Sequence, residues 1–311
     1  MRSAFIEELI ELAERDERIW LVTGDLGYSV LEVFADRFPK RFVNAGVAEQ
    51  NMTGVAAGLA LMGKTVFTYS IANFPVMRCL EQIRNDVCYH NLNVKIVAVG
   101  GGLAYGSHGY THHGVEDLAV LSSMPNITVA APGDPIETRA ILRVIASQNG
   151  PAYLRLGKAG EPVLHKTNIT LHYGKAIEMR AGHDLTLIAI GGILANTLSA
   201  ADKLAQAGYS VRLLSMPFAV PLDEDAIHAA AKETGVILTV EEHGAGGLGA
   251  AVGECIARLG TPVTFVPLRL RNDPIKISGT QEQLRTLQGL SAEGIAHSAE
   301  VACQHRAAAA L

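Results

Sequence analysis

Apolar and polar positions alternate along this chain with two different periods. Short, near-continuously apolar runs lie at 19–23, 65–69, 94–99, 127–130 and 153–156. Runs of that kind predict strands buried on both faces. Between them, 4–15, 48–62, 74–90 and 135–147 carry apolar residues at three- and four-residue spacing. In the first of these, Phe5, Leu9, Leu12 and Ala13 share one helical face. The series is βαβ and implies a parallel sheet covered by helices on both sides. The pattern breaks around 158–183, where Gly, Pro, Thr and His occur without a long period. A second alternation follows, with strands at 185–190, 211–215, 236–240 and 263–266 and helices at 193–207, 223–232, 248–259 and 281–287. The expectation is two doubly wound α/β domains, 1–165 and 184–311, joined by a linker at 166–183.

Composition narrows the function. The 311 residues include 49% hydrophobic and 18% charged positions, enough for a sizeable core and unlike a disordered chain. The formal charge of −5 leaves no basic surplus for a nucleic-acid backbone. The longest apolar-looking run, 53–63, falls short of the ~18 residues a membrane span needs. The first residues enter an amphipathic pattern directly, without the layout of a secretory signal. The cysteines, Cys79, Cys88, Cys255 and Cys303, form no C-x-x-C pair. That argues against a structural zinc site and a disulfide framework, and fits the reduced cytoplasm.

Parallel sheets bind ligands outside the carboxyl ends of their strands, so the loops there carry the candidate chemistry. At 44–51, Glu49 enters a helix, 51–61, that is almost uncharged and reads as packed all round. A carboxylate at such a helix start gains from the dipole, and the plain reading is an electrostatic cap. At 106–117, three histidines and two acids fall among glycines. The H-x-x-x-H-H spacing is not a standard zinc pattern, and a functional histidine cluster is the better reading. At 241–249, E-E-H-G-A-G-G-L-G mimics a dinucleotide fingerprint in poor register. A P-loop and a G-x-S-x-G elbow are both absent from the sequence.

Six segments in order resemble the C-terminal portion of transketolase. They are G-V-A-E-Q-N at 46–51, E-Q-I-R-N-D at 81–86, T-H-H-G-V-E-D at 111–117, M-P-N at 124–126, A-P-G-D at 131–134 and V-E-E-H-G-A-G-G-L-G at 240–249. The resemblance implies a pyrimidine-binding domain followed by a transketolase C-terminal domain. The family's G-D-G…N motif, which holds the thiamine diphosphate pyrophosphate and Mg²⁺, does not occur here. The chain therefore looks like the C-terminal subunit of a split transketolase. The resemblance implies an N-terminal partner subunit that holds the pyrophosphate and metal, an α2β2 assembly, and transfer of a two-carbon ketol unit from a ketose to an aldose. Glu49 matches the catalytic glutamate, Phe74 the aromatic that stacks on the pyrimidine, and Asp25 an acid near the cofactor. Ile71 and Met77 replace further aromatics. His112 matches a histidine that contacts the donor's oxygens, and Arg2, Ser29 and Arg155 match groups that hold a sugar phosphate. His108 stands where the family reads a hydroxyl with an aspartate, and Gly100 where it places a phosphate-binding histidine. Those departures point to a specialised sugar. The chain itself offers no expected metal ligands. The rival readings are a 2-oxoacid-decarboxylating relative (a deoxyxylulose-phosphate synthase or a dehydrogenase β subunit), a non-catalytic partner subunit, and a nucleotide binder using the 246–249 loop.

Overall fold

The computed structural model describes residues 1–309. Its strands, in chain order, are β1 Ile19–Thr23, β2 Phe42–Asn44, β3 Thr65–Ile71, β4 Val94–Val99, β5 Thr128–Ala130 and β6 Ala152–Leu156, then β7 Ile177–Arg180, β8 Leu185–Ile190, β9 Val211–Ser215, β10 Phe218–Val220, β11 Val236–Glu241 and β12 Thr264–Leu268. The first sheet has seven strands in the order β10-β5-β6-β4-β3-β1-β2, parallel except for β10. The second has five, β12-β11-β8-β9-β7, parallel except for β7. The architecture is α/β with two parallel-dominated sheets, as the periodicity predicts.

Every residue of β4, β6, β8 and β11 is buried, which is why these strands read as continuous apolar runs. Three helices start where a side chain supplies a cap, at Asp134, Asp223 and Thr280. Asp134 accepts the Glu137 amide at 2.7 Å at the start of Pro135–Ser147, and Glu137 in turn accepts the Gly133 amide at 2.6 Å. Thr280 and Gln283 form a capping box at Gln281–Leu287.

Three features depart from the sequence expectation. The 74–90 helix breaks into Phe74–Met77, Leu80–Gln82 and a wide turn over Ile83–Cys88, because Cys79 leaves helical geometry at φ −106°, ψ 9°. The break keeps Val76, Cys79, Ile83 and Val87 in the core while Phe74 stays half-buried. The stretch 166–183 is not all connection, since β7 lies within it and pairs antiparallel with β9. Finally, β10 comes from the second half of the chain yet adds antiparallel to β5 of the first sheet. One apolar cluster also spans both halves, from Leu118, Leu121 and Val129 to Ile188, Ile237 and Leu248. The two halves share a core.

The all-round packing expected of the 51–61 helix is a fourth difference. In Glu49–Leu61, Met52, Thr53, Ala56, Ala57 and Ala60 are buried, but Asn51, Gly54, Gly58 and Leu61 form a bare face. Leu61 is 69% exposed, and a Cβ placed at Gly54 or Gly58 would meet nothing within 4 Å. The small apolar residues on that face have no counterpart among the described residues of the chain.

Candidate active site

Five loops meet at the carboxyl ends of β1, β2, β3, β4 and β6, as the parallel-sheet rule requires. Glu49 is the first residue of its helix and only 3% exposed. The helix has no side-chain cap, so its free N-terminal amides stabilise the carboxylate. One oxygen accepts from Ser70 Oγ at 3.3 Å, at the end of β3. The other accepts from Arg78 Nη1 at 3.0 Å. A buried carboxylate needs such partners.

Arg78 makes a second contact. Its guanidinium carbon lies 4.2 Å from the centroid of the Phe74 ring. A planar, hydrogen-donating group therefore stacks on Phe74 and bonds to Glu49 at the same time. An aminopyrimidine is another flat group with polar nitrogens at its edge, so Phe74 and Glu49 fit that ligand's face and edge. Ile71, half-buried at the end of β3, precedes the loop. A 560 Å³ groove opens here, lined by Asn73, Phe74, Met77, Arg78, Tyr110 and Thr111, with Glu116 at its rim.

From Phe74 a row of rings runs through the site. His112 meets Phe74 edge-on at 5.4 Å, His108 lies 5.1 Å from His112, and Tyr105 lies 5.5 Å from His108. Burial, and then the neighbouring His108, push the His112 imidazole below its usual range. His112 is therefore neutral near pH 7 and able to donate or accept.

The far end of the row is cationic. Lys158 Nζ sits 4.9 Å over the Tyr105 ring. Arg2, half-buried at the start of Arg2–Arg15, acts on the hydroxyls of Tyr69 and Tyr105, opposing the upward push that burial gives both. Gly100 has φ 85°, and a Cβ there would run into the Tyr105 ring. Tyr105 thus fills the space beside position 100, where the resemblance leads one to expect a histidine.

Arg155 needs correction. It is 5% exposed inside β6; its Nη2 donates to the backbone oxygens of Gly114 and Glu242, and its Nε lies 3.1 Å from Asp117. It ties the two halves together and is no open fork for a phosphate. The cation over the exposed end of the ring row is Lys158, which the motifs do not single out. The one sequence signal for it is its place past the carboxyl end of the run, and the run does not say which way either side chain points.

Asp25 and Ser29 lie on the loop after β1, both exposed and both at positive φ, 58° and 64°. The Asp25 carboxylate accepts from Asn44 Nδ2 at 2.8 Å, and Asn44 Oδ1 accepts the Gly46 amide at 2.9 Å. Asp25 therefore braces the turn that leads into Glu49. Ser29 donates its amide to Glu32 at 2.8 Å.

The 241–249 loop is committed to structure. Glu241 accepts the amides of Leu248 and Gly249 at 2.7 and 2.8 Å, filling the helix start that a nucleotide phosphate would use. Burial raises the Glu241 carboxyl to about 7 and lowers the adjacent His243 to about 4. Glu242 accepts the Leu103 amide at 2.9 Å and pairs with Arg285 at 2.8 Å, pinning the glycine loop after β4 to the second half.

The chain is similar to several known proteins. Residues 1–160 match the family model described as transketolase, pyrimidine binding domain, and residues 174–295 match transketolase, C-terminal domain. One of the subunits of apulose-4-phosphate transketolase from Phocaeicola vulgatus is 40% identical over 301 residues, covering 96% of each chain. A 6-deoxy-6-sulfo-D-fructose transketolase subunit from a Clostridium species is 35% identical, covering 96% of this chain and 93% of that one. Among solved structures, a split-gene transketolase described as an inactive β4 tetramer superposes with a TM-score of 0.88 at 36% identity, covering 97% of both chains.

Proposed function

The chain belongs to the transketolase family, and from that premise we propose that it is the C-terminal subunit of a two-subunit, thiamine diphosphate-dependent transketolase. It moves a two-carbon ketol unit from a ketose to an aldose whose distal end is anionic. In this reading 1–165 is the pyrimidine-binding unit and 184–311 the C-terminal unit. The N-terminal partner holds the pyrophosphate and Mg²⁺, and two copies of each subunit form the cytoplasmic enzyme.

The observation that carries the proposal is the buried Glu49 carboxylate beside Phe74, at one end of a ring row that ends in cations. Bound thiamine diphosphate supplies the carbanion chemistry that breaks and re-forms the bond beside a ketose carbonyl. The residues of this chain then have distinct tasks. Phe74 stacks the aminopyrimidine, and Glu49 holds a proton at its ring nitrogen. Arg78, 50% exposed at its side chain, swings away to make room. Neutral His112 hydrogen-bonds the oxygen that gains charge in the substrate. His108 reads a neighbouring hydroxyl, and Arg2 and Lys158 hold the distal anion. Ser29 stands at the rim of the substrate side. The names of two relatives, one for a sugar 4-phosphate and one for a sulfo-sugar, are in keeping with a distal anion. The bare face of Glu49–Leu61 is in keeping with a partner chain that covers it.

The test is co-expression with a polypeptide that carries the missing G-D-G…N motif. Thiamine diphosphate binding is measured on each chain and on the mixture by calorimetry, with and without Mg²⁺. The expected result is tight, Mg²⁺-dependent binding in the mixture alone. Tight binding by this chain on its own, or none in the mixture, overturns the proposal.

A further inference from the structure

We propose that Glu224, His228 and Cys255 form a binding site for a Zn²⁺-class divalent cation, away from the groove described above. Glu224 and His228 are four residues apart on Glu224–Glu233, so they share one helical face. Cys255 lies on the neighbouring helix, Leu248–Leu259. The carboxylate oxygen, imidazole nitrogen and thiol sulfur all lie within 4.8 Å of one another. Bonds of about 2.0–2.3 Å to one tetrahedral ion bring such atoms to about 3.3–3.8 Å apart. Small rotamer adjustments on two exposed side chains, Glu224 and His228, close that gap while Cys255 stays buried.

The donor set selects the ion. One thiolate, one imidazole and one carboxylate suit Zn²⁺ or Co²⁺ and not Mg²⁺ or Ca²⁺, which take oxygen ligands. Three protein ligands leave the fourth position to water. On binding, the S–H bond of Cys255 breaks, the sulfur keeps the electron pair and bonds the metal, and the proton passes to solvent. No change of oxidation state is involved. One cation competes for the same carboxylate, because Arg258 pairs with Glu224. Arg258 also holds Glu254 at 2.8 Å, so it keeps a partner when Glu224 turns to the metal. Seated there, the ion ties together two helices that pack against β11 of the second sheet.

The test uses the full chain, stripped with chelator under reducing conditions and titrated with Co²⁺, then with Zn²⁺ as competitor. The expected result is one Co²⁺ per chain, with a thiolate-to-metal charge-transfer band and the intense visible bands of a tetrahedral ion. Cys255→Ser removes the charge-transfer band. His228→Ala, at an exposed position that the fold tolerates, weakens binding at least about tenfold. Arg258→Ala tightens binding, which a purely structural role for these residues would not produce. A wild-type chain without the charge-transfer band, or a band that survives in Cys255→Ser, overturns the proposal.

Discussion

At the scale of single residues, the site depends on where a charge sits relative to a strand end. Glu49 is 3% exposed and bonded on both oxygens, so replacing it with the isosteric amide preserves shape and removes the charge. Glu49→Gln is expected to lower the activity of the two-chain enzyme by about 10²–10⁴-fold, the usual value of one positioned proton-transfer group. Size-exclusion chromatography of the variant should show the wild-type assembly; loss of assembly would mark Glu49 as structural. Lys158 serves the other end of the ring row. Lys158→Ala should raise KM for a phosphorylated or sulfonated acceptor about tenfold or more while kcat changes little, because a distal ionic contact contributes to ground and transition states alike. An equal rise with a neutral aldose would remove Lys158 from the anion site. The grouping of Glu49, Phe74 and His112 at one end of the sheet is legible in the sequence, since each stands in or beside a distinctive motif at a predicted strand end. Arg155 is not, because the short run around it does not reveal which of two nearby cations points inward. Only the contacts of β6 separate Arg155, bonded to Gly114 and Glu242, from Lys158 over Tyr105.

Among the elements, the buried parallel strands are the most readable, because burial on both faces writes itself as an unbroken apolar run. The edge strands β2, β7 and β10 are not, since each is only three or four residues long and has one neighbour. The Glu49–Leu61 helix shows the limit in the other direction. Its Gly, Ala and Leu content predicts contact on every side, yet one face meets nothing among the described residues of the chain. In the proposed assembly a partner chain covers that face. Gly58 allows the two situations to be separated. Gly58→Ala should stabilise the isolated chain by up to about 1 kcal/mol, through helix propensity in a position with free space. Gly58→Arg should leave the melting temperature of the isolated chain near that of wild type and abolish co-purification with the N-terminal partner. If Gly58→Arg still assembles normally, the bare face is simply solvated and the partner docks elsewhere.

For the whole molecule, the question is why two α/β units with separate sheets behave as one body. A shared apolar cluster and the crossing strand β10 supply most of the answer. Buried charge supplies the alignment. Glu242 bonds Leu103 in the loop after β4, and Gln281 and Arg285 in the second half. That loop carries Tyr105 and His108, so Glu242 holds the far end of the ring row from behind. None of this is legible in the sequence, because the E-E-H run reads equally well as a ligand loop until the second half is folded against the first. Glu242→Ala would leave Arg285, 8% exposed, without its main partner. Breaking a buried pair from one side typically costs about 3–5 kcal/mol. Thermal unfolding of Glu242→Ala should therefore begin well below that of wild type. Removing both charges in Glu242→Leu/Arg285→Met should recover part of the loss, since no buried charge is then stranded. The recovered double variant should still show raised KM for the anionic acceptor, because the Leu103 amide has lost its acceptor and the Tyr105 loop is no longer held. Full recovery of both stability and KM would mean that the shared core alone positions the loop.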